Sequence, residues 1–283
     1  MNTTEPKFAI LVDGDNAQPK TLKLILEEIS AKYGKATIRR IYGDWTDPKM
    51  KSWKNMVNEL SFDPKQKFTY TSGKNSTDGA LIIDAMDILH SKSVDGFCIV
   101  SSDSDFTGLA KRIREEGVVV IGMGKKTTPQ AFVQSCEVFT FVENLSLPAA
   151  KEDEVEAKEQ HLPSVEDKIA DPIKPKTAKA TKSDKGSQSA NSVGQKKNTS
   201  RSVVPADVIE LVTKAFNSIV DETENVHIAE FGSAIKRLDP SFDVRTYGVN
   251  SFLKFLKLVG IFEIQDNEVG KHNHPMIKRK KGC

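Results

Sequence analysis

Short apolar runs alternate with amphipathic stretches through residues 7–147, and this pattern limits the fold more than any other feature. Apolar runs of this length predict buried strands, and the apolar spacing between them predicts amphipathic helices. Because the two kinds of element alternate, we expect an α/β domain in which helices flank a mostly parallel sheet. The predicted strands cover residues 8–12, 37–42, 67–70, 96–101, 118–122 and 138–141, and the predicted helices 19–33, 48–60, 77–90, 106–116 and 129–135.

Residues 148–203 differ sharply in composition from the segment before them. They contain no Phe, Trp or Tyr and are rich in Lys, Glu, Ser, Ala and Pro. Such a composition does not provide enough apolar surface to offset the entropy that folding costs. We therefore predict a flexible, disordered linker.

Order is expected to return in residues 204–277, which form a second, smaller domain. The stretches VIELVTKAFNSIV, HIAEFGSAIKRL and VNSFLKFLKLVG have the apolar spacing of helices. Short apolar runs at 262–264 and 275–277 predict a hairpin, so the pattern favours a small winged-helix module. A basic tail, residues 278–283, follows.

Charge and cysteine content narrow the class of protein. The net charge is +2, and acidic and basic residues are equal in number both in residues 1–147 and in 204–283. Any basic surface for nucleic acid must therefore be local. The three cysteines have no disulfide or metal-site spacing, and no apolar stretch is long enough to cross a membrane, so we expect a cytoplasmic protein without a membrane partner.

Acidic residues follow two of the predicted strands. The first strand leads into Asp13 and Asp15, and the fourth into Asp103 and Asp105. The carboxyl ends of parallel strands open into a ligand crevice, where clustered carboxylates repel one another unless they bind a cation or a proton. Oxygen ligands favour Mg²⁺ or Mn²⁺. The alternative for each pair is a turn or a helix N-cap, since Asp commonly serves both roles.

A third acidic pair lies on the predicted helix in KNSTDGALIIDAMD. Asp78 and Asp84 are six residues apart, about 120° around the helix axis, so both do not face one ion. We therefore expect Asp78 to bind the metal and Asp84 to support it. Lys74, in the preceding loop, is a candidate for gripping phosphate.

Three further polar residues belong to the same predicted site. Ser101 and Ser102 follow the fourth strand and are candidates for contacts with RNA phosphates. Asn16 follows the first strand and can hydrogen-bond a phosphate or a water molecule.

In this order, DGDN, the acidic helix and SSDSDF resemble the NYN domain of the PIN-like nuclease superfamily, in its LabA-like branch. The resemblance covers residues 7 to about 145. It implies nuclease activity, with Asp13, Asp78 and Asp103 as the catalytic and metal-binding acids. Asp105 would assist in metal binding, with Asp84 and Asn16 in support. The role of Asp15 stays open.

The carboxyl-terminal segment resembles the OST-HTH, or LOTUS, domain through the sequence FDVRTYGVNSFLKFL. The resemblance implies RNA binding, although a protein partner for this module is an alternative. Phe252, Phe255 and Leu256 are expected in the core. Arg245, Lys254 and Lys257 are the candidates for contacts with RNA.

The leading hypothesis is a metal-dependent ribonuclease with a tethered RNA-binding module. One alternative is a phosphatase of the haloacid-dehalogenase type, in which Asp13 would be the nucleophile and Asp15 the acid. The other is an RNA-binding adaptor whose acids hold a structural cation.

Overall fold

Six short strands form one parallel sheet in the amino-terminal domain, in the order β3-β2-β1-β4-β5-β6. All neighbouring pairs are parallel, which confirms the predicted α/β fold with flanking helices. The strands are β1 (Lys7–Asp13), β2 (Lys35–Gly43), β3 (Asp63–Gln66), β4 (Gly96–Val100), β5 (Val119–Gly124) and β6 (Val138–Phe141).

Helices cover both faces of this sheet. They are α1 (Leu22–Lys32), α2 (Lys54–Glu59), α3 (Ser76–Ser91), α4 (Thr107–Glu115) and α5 (Gln130–Ser135). Successive residues of a strand face opposite sides, so Ile10 packs with Leu22 and Ile25 of α1, whereas Leu11 packs with Leu81 of α3. Burial of both faces explains why the central strands β1 and β4 are continuous apolar runs.

The third strand begins earlier than the sequence predicts. It spans Asp63–Gln66 and pairs with β2, whereas the sequence predicts a strand at 67–70, of which 69–70 lie outside the described residues. β3 is the edge of the sheet, where Pro64 is tolerated because one side of the strand needs no ladder hydrogen bond. Phe68 is 51% exposed and does not contribute to the core.

The computed structural model describes residues 5–68, 76–145, 204–220, 225–265, 268–269, 272–273 and 275–280. The predicted linker, Lys74 and the last three residues of the basic tail lie outside these ranges. Within them, no helix has both the length and the apolar character needed to cross a membrane.

The described residues of the carboxyl-terminal domain form three α-helices, a three-stranded antiparallel sheet and a two-stranded one. The helices are α6 (Ala206–Asn217), α7 (Ile228–Leu238) and α8 (Phe252–Val259). The strands are β7 (Asn225–His227), β8 (Phe262–Gln265), β9 (Glu268–Val269), β10 (His272–Asn273) and β11 (Met276–Arg279), with β7, β11 and β8 in one sheet. Phe231 and Phe255 are fully buried at its centre, as expected for Phe255.

The amino-terminal and carboxyl-terminal domains contact each other within one compact unit. The guanidinium group of Arg245 donates to the carboxylate of Glu28 on α1. The amide of Asn144 donates to the hydroxyl of Thr246, and the backbone N–H of Phe139 on β6 donates to the carbonyl of Pro240. The contact therefore joins three separate points of the two domains.

Candidate metal centre

The acidic residues lie where the strand order of the sheet reverses, between β1 and β4. Asp13 is the last residue of β1, and Ser101 and Asp103 directly follow β4. In a parallel sheet the helices after two such neighbouring strands run on opposite faces, which leaves a crevice at their carboxyl ends. The fold thus brings together two acidic segments that are about ninety residues apart in the sequence.

Asp13 is buried at the base of this crevice. One carboxylate oxygen accepts hydrogen bonds from the backbone N–H groups of Asp15 and Asn16. The other accepts from the side-chain amide of Asn16 and from the hydroxyl of Ser101, both at 2.7 Å. Burial raises the pKa of Asp13, and these hydrogen bonds act against that rise.

Three other carboxylates meet above it. One ligand oxygen from each of Asp78, Asp103 and Asp105 lies within 4.8 Å of the other two. Asp78 comes from the first turn of α3, and Asp103 caps the 3-10 helix Ser104–Phe106 by accepting from the N–H of Asp105. Asp103 therefore both caps this helix and belongs to the acidic cluster, the two alternatives between which the sequence does not decide.

The acids strongly affect one another. Burial and the neighbouring carboxylates, with Asp13 and Asp103 the largest contributors among them, raise the pKa of Asp78 to about 6. Within the described ranges neither Asp78 nor Asp103 has an ion-pair partner. Among the described residues, the charges of these two acids are therefore not balanced by an ion pair.

This donor set suits a hard divalent cation. Carboxylate oxygens from three residues lie close enough to share one ion, and Mg²⁺ and Mn²⁺ prefer such ligands. Burial and then the neighbouring carboxylates raise the pKa of Asp78, and a bound cation would offset the repulsion among these carboxylates. Asp13 is not among these three carboxylates; it lies close to Asp78, and its own oxygens accept four hydrogen bonds.

Asp84 points away from the cluster into a polar network. Its carboxylate accepts from Arg40 at 2.5 Å and from the hydroxyl of Tyr42. Sequence reasoning did not identify Arg40 or Tyr42. They are two residues apart on β2, so their side chains lie on the same face of the sheet. This two-residue spacing is the sequence feature that links them to each other.

Ser101 and Ser102, expected to contact RNA, have intramolecular partners. Ser101 is buried, and its hydroxyl donates to Asp13 and accepts from the N–H of Asp103. Ser102 accepts from the N–H of Lys125 and so holds the loop after β5. Ser101 therefore positions two acids, and Ser102 stays half-buried beside them.

The carboxyl-terminal candidates separate into two groups. Lys254 and Lys257 are exposed on α8, where they can meet a polyanion. Arg245 is only 7% exposed and bonds to both Asp243 and Glu28, which keeps its guanidinium group from solvent and leaves it no free face for RNA.

Comparison with known proteins agrees with this division of the chain. Residues 7–145 match the model of the NYN domain, and residues 202–274 match that of the OST-HTH/LOTUS domain. No curated protein matches the chain. A crystal structure of a Vibrio parahaemolyticus protein of unknown function aligns with a TM-score of 0.42 and 21% identity, over 50% of this chain and 95% of that one.

Proposed function

Because the chain consists of an NYN domain followed by an OST-HTH/LOTUS domain, we propose that it is a metal-dependent ribonuclease. The NYN domain belongs to the PIN-like nuclease superfamily, which supports hydrolysis of a phosphodiester bond. The observation that carries the proposal is the meeting of Asp78, Asp103 and Asp105 at the carboxyl edge of the sheet. RNA is the proposed substrate because both domains are associated with RNA.

We assign Asp78, Asp103 and Asp105 to the binding of Mg²⁺ or Mn²⁺. When bound, such an ion activates a water molecule and stabilises the charge that develops on the phosphate oxygens. In this proposal Asp13 does not bind the ion directly. Its buried charge adds to the negative potential at Asp78. Our first expectation placed Asp13 among the direct ligands, and its four hydrogen bonds favour this supporting position instead.

The surrounding residues fix the acids in place. Ser101 links Asp13 to the backbone of Asp103 through two hydrogen bonds. These bonds connect the carboxyl end of β1 to the loop that follows β4. Asn16 bonds to the same carboxylate of Asp13. This arrangement orients the donors before substrate binds, which lowers the reorganisation that catalysis requires.

The direct test is cleavage of labelled RNA by the purified protein with Mn²⁺, Mg²⁺ or EDTA. We expect cleavage with a divalent ion and none with EDTA. Asp103→Asn should reduce the rate at least about 100-fold, as loss of a group that contacts the reacting centre typically does. Asp87→Asn, an exposed acid on the same helix as Asp78, is the matched control and should cleave at the wild-type rate.

Two alternatives make different predictions in this assay. An RNA-binding adaptor would bind RNA without any metal-dependent cleavage. A phosphatase of the haloacid-dehalogenase type would hydrolyse a chromogenic phosphomonoester, but the full burial of Asp13 disfavours it because a nucleophile must reach the phosphorus atom. Wild-type cleavage by Asp103→Asn would contradict our assignment of the site.

A further inference from the structure

A buried ion pair joins the two domains. Arg245 and Glu28 are 7% and 8% exposed, and their side chains bond twice, at 2.8 and 3.3 Å. A bidentate pair between guanidinium and carboxylate is among the more directional contacts in proteins. Two charges that lie out of water in this way each need a counter-ion.

Two hydrogen bonds extend the same surface. The backbone N–H of Phe139 donates to the carbonyl of Pro240 at 2.8 Å. β6 is an edge strand, whose outward N–H groups lack a neighbouring strand, so Pro240 satisfies a donor that the sheet leaves open. Asn144, just after β6, donates to Thr246 at 2.9 Å. The contact therefore covers the edge of the sheet as well as α1.

Each charge also has a partner inside its own domain. Arg245 contacts Asp243 at 2.6 Å, and Glu28 contacts Lys32 at 2.8 Å. Separation of the domains would therefore leave neither charge without a counter-ion. It would also pull apart a pocket of about 460 Å³ that residues of both domains line, including Lys32 and Lys236.

We propose that the Arg245 surface of the carboxyl-terminal domain is a docking surface for the NYN domain of the same chain, and that the two can separate without unfolding. The partner that fits this surface is the carboxylate of Glu28 together with the exposed edge of β6. RNA does not occupy Arg245 while the domains are docked, because its phosphates would have to displace Glu28. This inference does not depend on the proposed nuclease activity.

Chemical cross-linking of the full chain tests the docked arrangement. An amine-reactive bis-succinimidyl suberate should link Lys32 to Lys236, because both line the same interdomain pocket and, after burial, the nearby charge of Lys32 lowers the pKa of Lys236. We expect this link in dilute protein. Glu28→Gln should lower the ratio of docked to separated chains roughly tenfold, the effect typical for loss of one charge-assisted hydrogen bond, and should therefore lower the yield of this link. Glu27→Gln is the matched control, since Glu27 is exposed and pairs only with Lys23 among described residues.

A mixture of isotopically light and heavy chains identifies the source of the link. Links within one isotope alone show docking inside a chain, as proposed. Mixed-isotope links would show that the surface joins two copies and would overturn the proposal. The absence of any link between Lys32 and Lys236 in the wild-type protein would also overturn the proposal.

Hydrogen exchange tests whether the domains separate without unfolding. In Glu28→Gln, amide exchange in residues 138–141 should accelerate roughly tenfold. The reason is that the hydrogen bond from the N–H of Phe139 to the carbonyl of Pro240 would break more often. Exchange in β4, at the centre of the sheet, should stay at the wild-type rate. Equal acceleration in both strands would mean that the variant weakens the whole fold, and no acceleration in 138–141 would mean that Glu28 does not hold the domains together.

Discussion

At the scale of single residues, a proton on Asp78 should compete with the cation proposed for the acidic cluster. Its pKa of about 6 in the folded protein lies above the roughly 3.9 of an unfolded Asp, so the folded state binds this proton more tightly. Without metal, the stabilisation from this group is fully present below about pH 4 and is lost as the pH rises through about 6.

Metal binding should follow the opposite trend. A divalent ion needs the ionised carboxylate, so affinity for Mn²⁺ should be higher at about pH 7.5 than at about pH 5 by tenfold or more. Calorimetric titration at the two pH values measures this difference. Asp78→Asn should bind Mn²⁺ more weakly at both, with a smaller difference between them. An unchanged pH dependence in that variant would assign the titration to another group.

Asp84 should matter more for stability than for chemistry. Asp84→Asn removes the negative partner of Arg40, and both side chains are partly exposed, so we expect a loss of about 1 kcal/mol in the free energy of unfolding. Urea denaturation measures it, with Asp87→Asn as an exposed control on the same helix. RNA cleavage should fall less than in Asp103→Asn, and a larger fall would place Asp84 among the ligands.

At the scale of elements, the exit of β1 depends on Gly14. A Cβ atom there would lie 2.6 Å from the backbone oxygen of Tyr42 and 2.8 Å from the Met50 side chain. Gly14→Ala should therefore destabilise the protein by roughly 1–3 kcal/mol, as overpacking does. Gly108→Ala, in α4 with open space around its Cβ, should instead stabilise it by up to about 1 kcal/mol. Thermal unfolding of both variants checks the contrast.

The sequence predicts the elements of the NYN domain well because apolar burial on both faces of a sheet leaves a readable pattern. It also indicates Asp103 as a site residue, since an acid directly after an apolar strand is placed by the strand itself. Contacts between distant segments leave no such pattern. Arg245 and Glu28 are 217 residues apart, so neither spacing nor periodicity connects them, and the sequence does not predict their ion pair.

At the scale of the whole molecule, α8 offers the basic surface proposed to bind RNA. Lys254 and Lys257 are exposed, whereas Arg245 is buried. Replacing both lysines by Ala should weaken RNA binding. It should also reduce the steepness of the plot of log K against log salt concentration by roughly 1.4, about 0.7 for each lost phosphate contact. Fluorescence anisotropy with full-length protein at two salt concentrations measures this slope. Lys214→Ala, an exposed lysine on α6, should leave it unchanged.

The second ion-pair partners of Glu28 and Arg245 also bear on how such a chain can arise. Lys32 and Asp243 belong to the same domains as the charges that they accompany. A recombination event that joined two separate genes would therefore have brought together domains whose charges were already neutralised. The contact between Glu28 and Arg245 could then be gained by later substitutions at the surface, without an intermediate that carried an unpaired buried charge.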